Sequence, residues 1–200
     1  MDDNSNLQVL AQIFAKETEG IRLENMLILF ILAAAAVCFG GWIAGRKREV
    51  KCKRMIHMYL FLVYMGFLFT ITIFRRPIGS REGIVHLFIN LGFGLRSGRP
   101  SLKISAYSIF NILLFVPFGV LASIAIRNKS RARGILVSTA IGFALSLTIE
   151  CIQLATGRGM FETTDLLTNT AGSLIGALIT VALNALFRSK HGDIHESING

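Results

Sequence analysis

An all-α, polytopic membrane bundle of about five transmembrane helices is the fold class this sequence predicts. Three observations carry that prediction. Apolar residues make up 52% of the chain and are gathered into blocks rather than spread at amphipathic spacing. The blocks cover residues 26–45, 55–74, 106–126, 134–156 and 166–187, each long enough to cross a hydrocarbon core of ~30 Å at ~1.5 Å per residue. Across all five, Glu150 is the single Asp, Glu, Lys or Arg. Lipid leaves unpaired backbone groups unsolvated, so spanning segments are helices or closed barrels. The blocks lack the short alternation of barrel strands.

Residues 1–25 form a polar N-terminal segment, net acidic through Asp2, Asp3, Glu17, Glu19 and Glu24 against Lys16 and Arg22. A secretory signal begins with basic residues and ends in a small-residue cleavage site. The first apolar block is therefore expected to be retained as a helix. Residues 26–187 form the bundle, and residues 188–200 are a polar C-terminal tail.

The connections set an expected orientation. Residues 46–54 (RKREVKCKR) carry six Lys or Arg, and residues 127–133 (RNKSRAR) carry four. Short basic loops stay on the cytoplasmic side. This predicts the N-terminus outside, the connection 157–165 outside and the C-terminus in the cytoplasm. The connection 75–105 is then also outside, although it contains Arg75, Arg76, Arg81, Arg96, Arg99 and Lys103. It includes an apolar stretch, 84–95 (IVHLFINLGFGL), too short to span and read as an interfacial helix or a re-entrant segment. Its arginines suit either lipid phosphates or an anionic ligand, since guanidinium pairs with phosphate and carboxylate alike.

The formal net charge of +9 sits between apolar blocks, so membrane lipid headgroups are the expected partner. No nucleic-acid recognition motif accompanies it, and no nucleic-acid partner is expected. Cys38 and Cys151 lie inside blocks and Cys52 in a basic connection, with no disulfide or zinc spacing. No HExxH, nucleophile elbow or phosphate loop is present, so neither a metal nor a cofactor is expected. Gly172 and Gly176 form a Gly-x-x-x-Gly spacing that predicts close helix packing.

The polar residues of the second half converge on this topology. Arg75 follows the second block, Asn111 opens the third, Glu150 and Gln153 end the fourth, Arg158 lies in the turn, and Asp165 and Asn169 open the fifth. All fall at one end of the bundle. Glu150 and Gln153 are spaced i, i+3, and Asp165 and Asn169 i, i+4, so each pair shares a helix face. A central carboxylate costs ~2.5–3.5 kcal/mol on insertion scales, and less near the interface. Glu150 therefore calls for a partner, a proton or a water-filled cavity. A buried ion pair with Arg158, Arg75 or Arg76 is one reading; a cavity-lining group that binds or protonates a ligand is the other. Asp165 also suits a helix N-terminus, where a carboxylate opposes the macrodipole. Pro117, inside the third helix, frees a backbone carbonyl and predicts a kink.

Residues 111–119 (NILLFVPFG), 150–154 (ECIQL), 156–161 (TGRGMF) and 165–172 (DLLTNTAG) stand in an order that resembles the VanZ family, over about residues 60–187. By that resemblance Asn111, Glu150, Gln153, Arg158, Asp165 and Asn169 occupy motif positions. The family often carries an Asn-Leu-x-Pro-Phe element before the third helix; here Asn90-Leu91-Gly92-Phe93 is nearest and lacks the proline. The resemblance implies a small envelope membrane protein that lowers susceptibility to teicoplanin, with little effect on vancomycin. It does so without replacing the D-Ala-D-Ala terminus of peptidoglycan precursors.

Three functional classes follow. The first is a non-enzymatic envelope protein whose outward polar cleft meets a lipoglycopeptide or a lipid-linked peptidoglycan precursor. The second is a membrane enzyme on a lipid-linked substrate, with Glu150 or Asp165 as acid or base and Arg158 holding phosphate. The lack of a recognised nucleophile weighs against it. The third, a small transporter, is disfavoured by the absence of an internal repeat.

Overall fold

A computed structural model describes residues 8, 11–13, 15, 21–45, 52–80, 85–91, 102–126 and 130–199. Much of the basic connections 46–54 and 127–133, and residues 81–84 and 92–101, lie outside the described residues. Among the described residues stand five long helices: α1 (Leu23–Gly45), α2 (Cys52–Phe69), α3 (Leu102–Ala125), α4 (Arg131–Thr156) and α5 (Thr163–Asn199). All five are long and apolar enough to cross a membrane. Two two-residue strands, β1 (Val85–His86) and β2 (Phe161–Glu162), pair in parallel. The predicted helical membrane bundle is what the chain forms.

The helix ends differ from the sequence boundaries in informative ways. α5 is expected to stop near residue 187 but continues to Asn199, through a polar stretch that contains no proline to end it. α4 stops where Gly157 takes a left-handed conformation, φ 61°, which glycine adopts without a Cβ clash. The Arg158 and Gly159 N–H groups then donate to the Gln153 carbonyl at 3.0 and 3.3 Å. This cap turns the chain back over the end of α4 and delivers β2 to the start of α5.

α2 runs into a π-helical turn, Thr70–Phe74. Its wider winding is marked by the Arg75 N–H donating to the Thr70 carbonyl, five residues back, at 2.9 Å. Proline inside α3 leaves the helix unbroken. The Tyr64 hydroxyl of α2 donates to the Leu114 carbonyl, next to the Leu113 carbonyl that Pro117 leaves without its helical donor. Most membrane hydroxyls are satisfied within their own helices: Thr70, Thr72, Ser138, Thr170 and Thr180 each donate to the carbonyl four residues back.

α3 and α5 pack most closely. A Cβ on Gly119 would collide with the Ser173 carbonyl, one on Gly172 with the Ile112 carbonyl, and one on Gly176 with the Val116 carbonyl. Backbone therefore lies directly on backbone, as small residues permit in lipid, where helices associate by packing rather than by a hydrophobic drive. An apolar core of Leu68, Ile73, Phe115, Phe118, Ala122 and Ile149 joins α2, α3 and α4 above this seam. The Phe115 and Phe118 rings pack tilted, 6.0 Å between centroids.

The apolar stretch 84–95, described over 85–91, is neither helix nor a crossing segment there. It begins as a strand and continues irregularly, and β1 aligns Val85 with Phe161 and His86 with Glu162. The Asn90 N–H donates to Thr164 Oγ1 at 3.0 Å, fastening the strand to the start of α5. Leu87 and Phe88 stay exposed. Of the two expectations, an interfacial helix or a re-entrant segment, the helix does not form at these residues, because their backbone groups find partners on β2 and Thr164 instead of along their own chain.

Candidate functional site

Four helix ends meet at one side of the bundle: the end of α2, the start of α3, the end of α4 and the start of α5. Between them lies a cavity of about 1050 Å³. Six of the seven sequence-selected residues line it: Arg75, Asn111, Glu150, Gln153, Asp165 and Asn169.

Glu150 sits on the last turns of α4 and is 2% exposed. One carboxylate oxygen accepts the Glu162 N–H at 2.9 Å. That donor exists because the Gly157 cap folds β2 back over α4. Arg76, Asp165 and Glu162 are the charged groups within electrostatic reach of the carboxylate. Gln153, one helical step on, donates to the Thr72 carbonyl at 2.8 Å. Thr72 lies in the π-helical turn, so that turn and the end of α4 are joined through Gln153.

Asn111 Nδ2 donates to Asp165 Oδ1 at 2.8 Å. This pair links the third turn of α3 to the first turn of α5. The sequence offers a helix-terminal role for Asp165, and the side chain does lie in the first turn of α5. It also reaches across to another helix. One turn deeper, Asn169 is 4% exposed and its Nδ2 donates to Ser146 Oγ on α4 at 2.9 Å. Its Oδ1 is buried with no hydrogen-bond partner. Buried amides are normally satisfied on both sides, so an open acceptor on a cavity wall is a group waiting for a donor.

Arg158 is placed differently from the other six. It is not among the cavity-lining residues; its guanidinium lies over the Phe74 ring, 5.8 Å from the centroid. The Arg158 carbonyl accepts Arg76 Nη1 at 3.4 Å. Its contribution to the site is thus to hold Arg76 from behind. The short cap geometry after Gly157 explains this, because it directs the turn across the end of α2 rather than over the cavity mouth.

Sequence reasoning left several cavity residues unselected: Arg76 beside Arg75, Glu162, Thr72, Asn90 and Thr164. Glu162 and Thr164 carried a signal in their position between Asp165 and the Arg158 turn. Thr72 and Asn90 enter through a π turn and an irregular segment that leave little trace in residue type.

The architecture defines a class: a multi-pass helical membrane protein with a polar, charge-lined cavity at one end of its bundle. The VanZ/LLP1 family profile matches residues 61–186, well over half of the chain, and the protein belongs to that family. It is similar to Protein VanZ of Enterococcus faecium, 37% identical over 68 residues, or 34% of this chain and 40% of that protein. The match thus spans less than half of that relative's own length. No solved structure matches this chain.

Proposed function

We propose that this protein lowers susceptibility to teicoplanin-type lipoglycopeptides through its polar cavity, without modifying the D-Ala-D-Ala terminus of peptidoglycan precursors. The observation that carries the reading is the cavity itself, which gathers Asn111, Glu150, Gln153, Asp165 and Asn169 inside the family-matched region. We place the cavity at the outer membrane face, with the N-terminus outside and the C-terminus in the cytoplasm. Support comes from connectivity: the basic connections 46–54 and 127–133 join the helix ends remote from the cavity, and short basic loops are retained in the cytoplasm. An outward cavity is where a lipoglycopeptide, or a lipid-linked cell-wall precursor, is met.

The test is teicoplanin and vancomycin susceptibility in a sensitive host carrying the chain or its Glu150→Gln variant at equal membrane abundance. Selective teicoplanin protection by the wild type, lost in the variant, is the expected result. No protection from a fully inserted wild-type chain refutes the reading.

A second reading has one specific observation in its favour: Glu150 and Asp165 line the same cavity within electrostatic reach of each other. Two such carboxylates suit acid and base roles on a lipid-linked substrate. Mass spectrometry of cell-wall lipids incubated with purified protein decides it; unchanged lipids eliminate an enzyme of this kind.

A further inference from the structure

The cavity is asymmetric in two respects. Among the described residues its charged lining carries three carboxylates, Glu150, Glu162 and Asp165, against two guanidinium groups, Arg75 and Arg76. The open Asn169 Oδ1, buried on the same wall, adds an acceptor to the carboxylate side. A ligand that complements this lining brings N–H donors and positive charge to Glu150, Asp165 and Asn169. It brings an anionic group to the arginines, where guanidinium forks match phosphate oxygens.

The second asymmetry is in the walls. Between α2 and α3 the lining turns apolar, with Phe67 and Ile71 on one side and Ile104 and Leu113 on the other. Leu113 is 58% exposed, and both α3 residues belong to a membrane span. The cavity therefore opens sideways at hydrocarbon depth, while its polar end lies among the helix termini.

We propose that the cavity holds the headgroup of a bilayer amphiphile that carries a primary ammonium beside a phosphate and enters laterally between α2 and α3. The ammonium binds at Glu150, Asp165 and Asn169, the phosphate at Arg75 and Arg76, and the acyl chains lie along Phe67, Ile71 and Leu113. This rests on the same cavity being the functional site, and it adds a ligand class and a route of entry. A primary ammonium offers three N–H donors, whereas a trimethylammonium offers none, so the site discriminates between otherwise similar zwitterions.

The test uses the purified full chain incubated with an equal mixture of phosphatidylethanolamine, phosphatidylcholine and phosphatidylglycerol of matched acyl chains. Retained lipid is quantified by mass spectrometry. Phosphatidylethanolamine is expected to be retained about tenfold over the other two, a difference of one strong hydrogen-bonded contact. Glu150→Gln is expected to abolish that preference at unchanged elution volume and helicity. Equal retention of all three lipids, or an undiminished preference in the variant, overturns the headgroup assignment.

The route has its own arm. Leu113→Trp narrows the side opening at an exposed position and is expected to lower retention, while Leu136→Trp, exposed on α4 and outside the cavity lining, leaves it unchanged. Equal effects of the two, or displacement of the lipid by water-soluble phosphoethanolamine at matching concentration, overturn lateral entry. Selective lipid retention by a chain that gives no teicoplanin protection removes the resistance reading and keeps this one. Protection without lipid selectivity does the reverse.

Discussion

The α3–α5 seam and the α1–α2 contact both use glycine, with opposite mechanical results. Across α3–α5, Gly119, Gly172 and Gly176 face backbone carbonyls on the other helix. Across α1–α2, Gly66 faces the Leu29 side chain and Gly41 the Met55 side chain. A side-chain tip can rotate away; a carbonyl in a helix cannot. The buried share of the span follows the same division, 39% for α5 against 11% for α1 and α2. The rigid half carries Asn111, Glu150, Asp165 and Asn169. The adaptable half contributes Arg75 and Arg76 from the end of α2, together with the lipid-facing flank of the cavity.

Substitutions can break or sharpen this contrast. The largest effect is expected from Gly176→Leu, which drives a side chain into the Val116 carbonyl and the Val120 amide. A loss on the order of 3 kcal/mol is expected from overpacking against backbone. Thermal unfolding in detergent measures it, and a wild-type Tm would mean that the seam is not rigid. Next is Asn111→Leu, which removes the donor to Asp165 Oδ1 at one end of the seam. Hydrogen bonds to charged groups contribute about 1.5–3 kcal/mol, and the same assay should place this variant between wild type and Gly176→Leu.

Tyr64→Phe belongs to the adaptable half. It removes the hydroxyl donor to the Leu114 carbonyl, and membrane hydrogen bonds of this kind average about 0.6 kcal/mol. Only a small Tm shift is expected. If Tyr64→Phe proved as damaging as Asn111→Leu, the α2–α3 junction would have to be counted with the rigid half. The smallest effect is expected at Gly40, where an added Cβ meets nothing within 4 Å. Gly40→Leu should lie within about 0.5 kcal/mol of wild type, and a large loss there would indicate that a partner covers this face of α1.

The helices were legible because lipid demands long, uncharged segments and leaves few alternatives. The convergence of Asn111, Glu150, Gln153, Asp165 and Asn169 was legible for a related reason: polar groups are rare in such segments, and alternating helix directions place them at one end. Three features escaped. Arg158 was grouped with the cavity because its turn lies at the correct end, but the direction of that turn depends on the φ of Gly157. The stretch 84–95 reads as an interfacial helix or a re-entrant segment, and over 85–91 long-range partners at Phe161, Glu162 and Thr164 hold it in a short strand and an irregular run. For Glu150 the sequence left an arginine partner and a cavity-lining role open; it lines the cavity, and its hydrogen bond comes from the Glu162 amide, a donor that every residue except proline carries.

The π turn at Thr70–Phe74 can be regarded as a phase shift. Each residue of an α-helix advances the azimuth by roughly 100°, so one extra residue in a turn rotates everything beyond it by about that angle. Arg75 and Arg76 follow directly. Their bearing toward the cavity is thus set by a count of residues as much as by the residues themselves. Deleting one position within Thr70–Phe74 would leave every charged side chain in the sequence while pointing the arginine pair elsewhere. Cysteine-labelling accessibility at the Arg75 site would register that rotation, and an unaltered pattern would mean that the neighbouring loop, rather than the helix, sets the bearing.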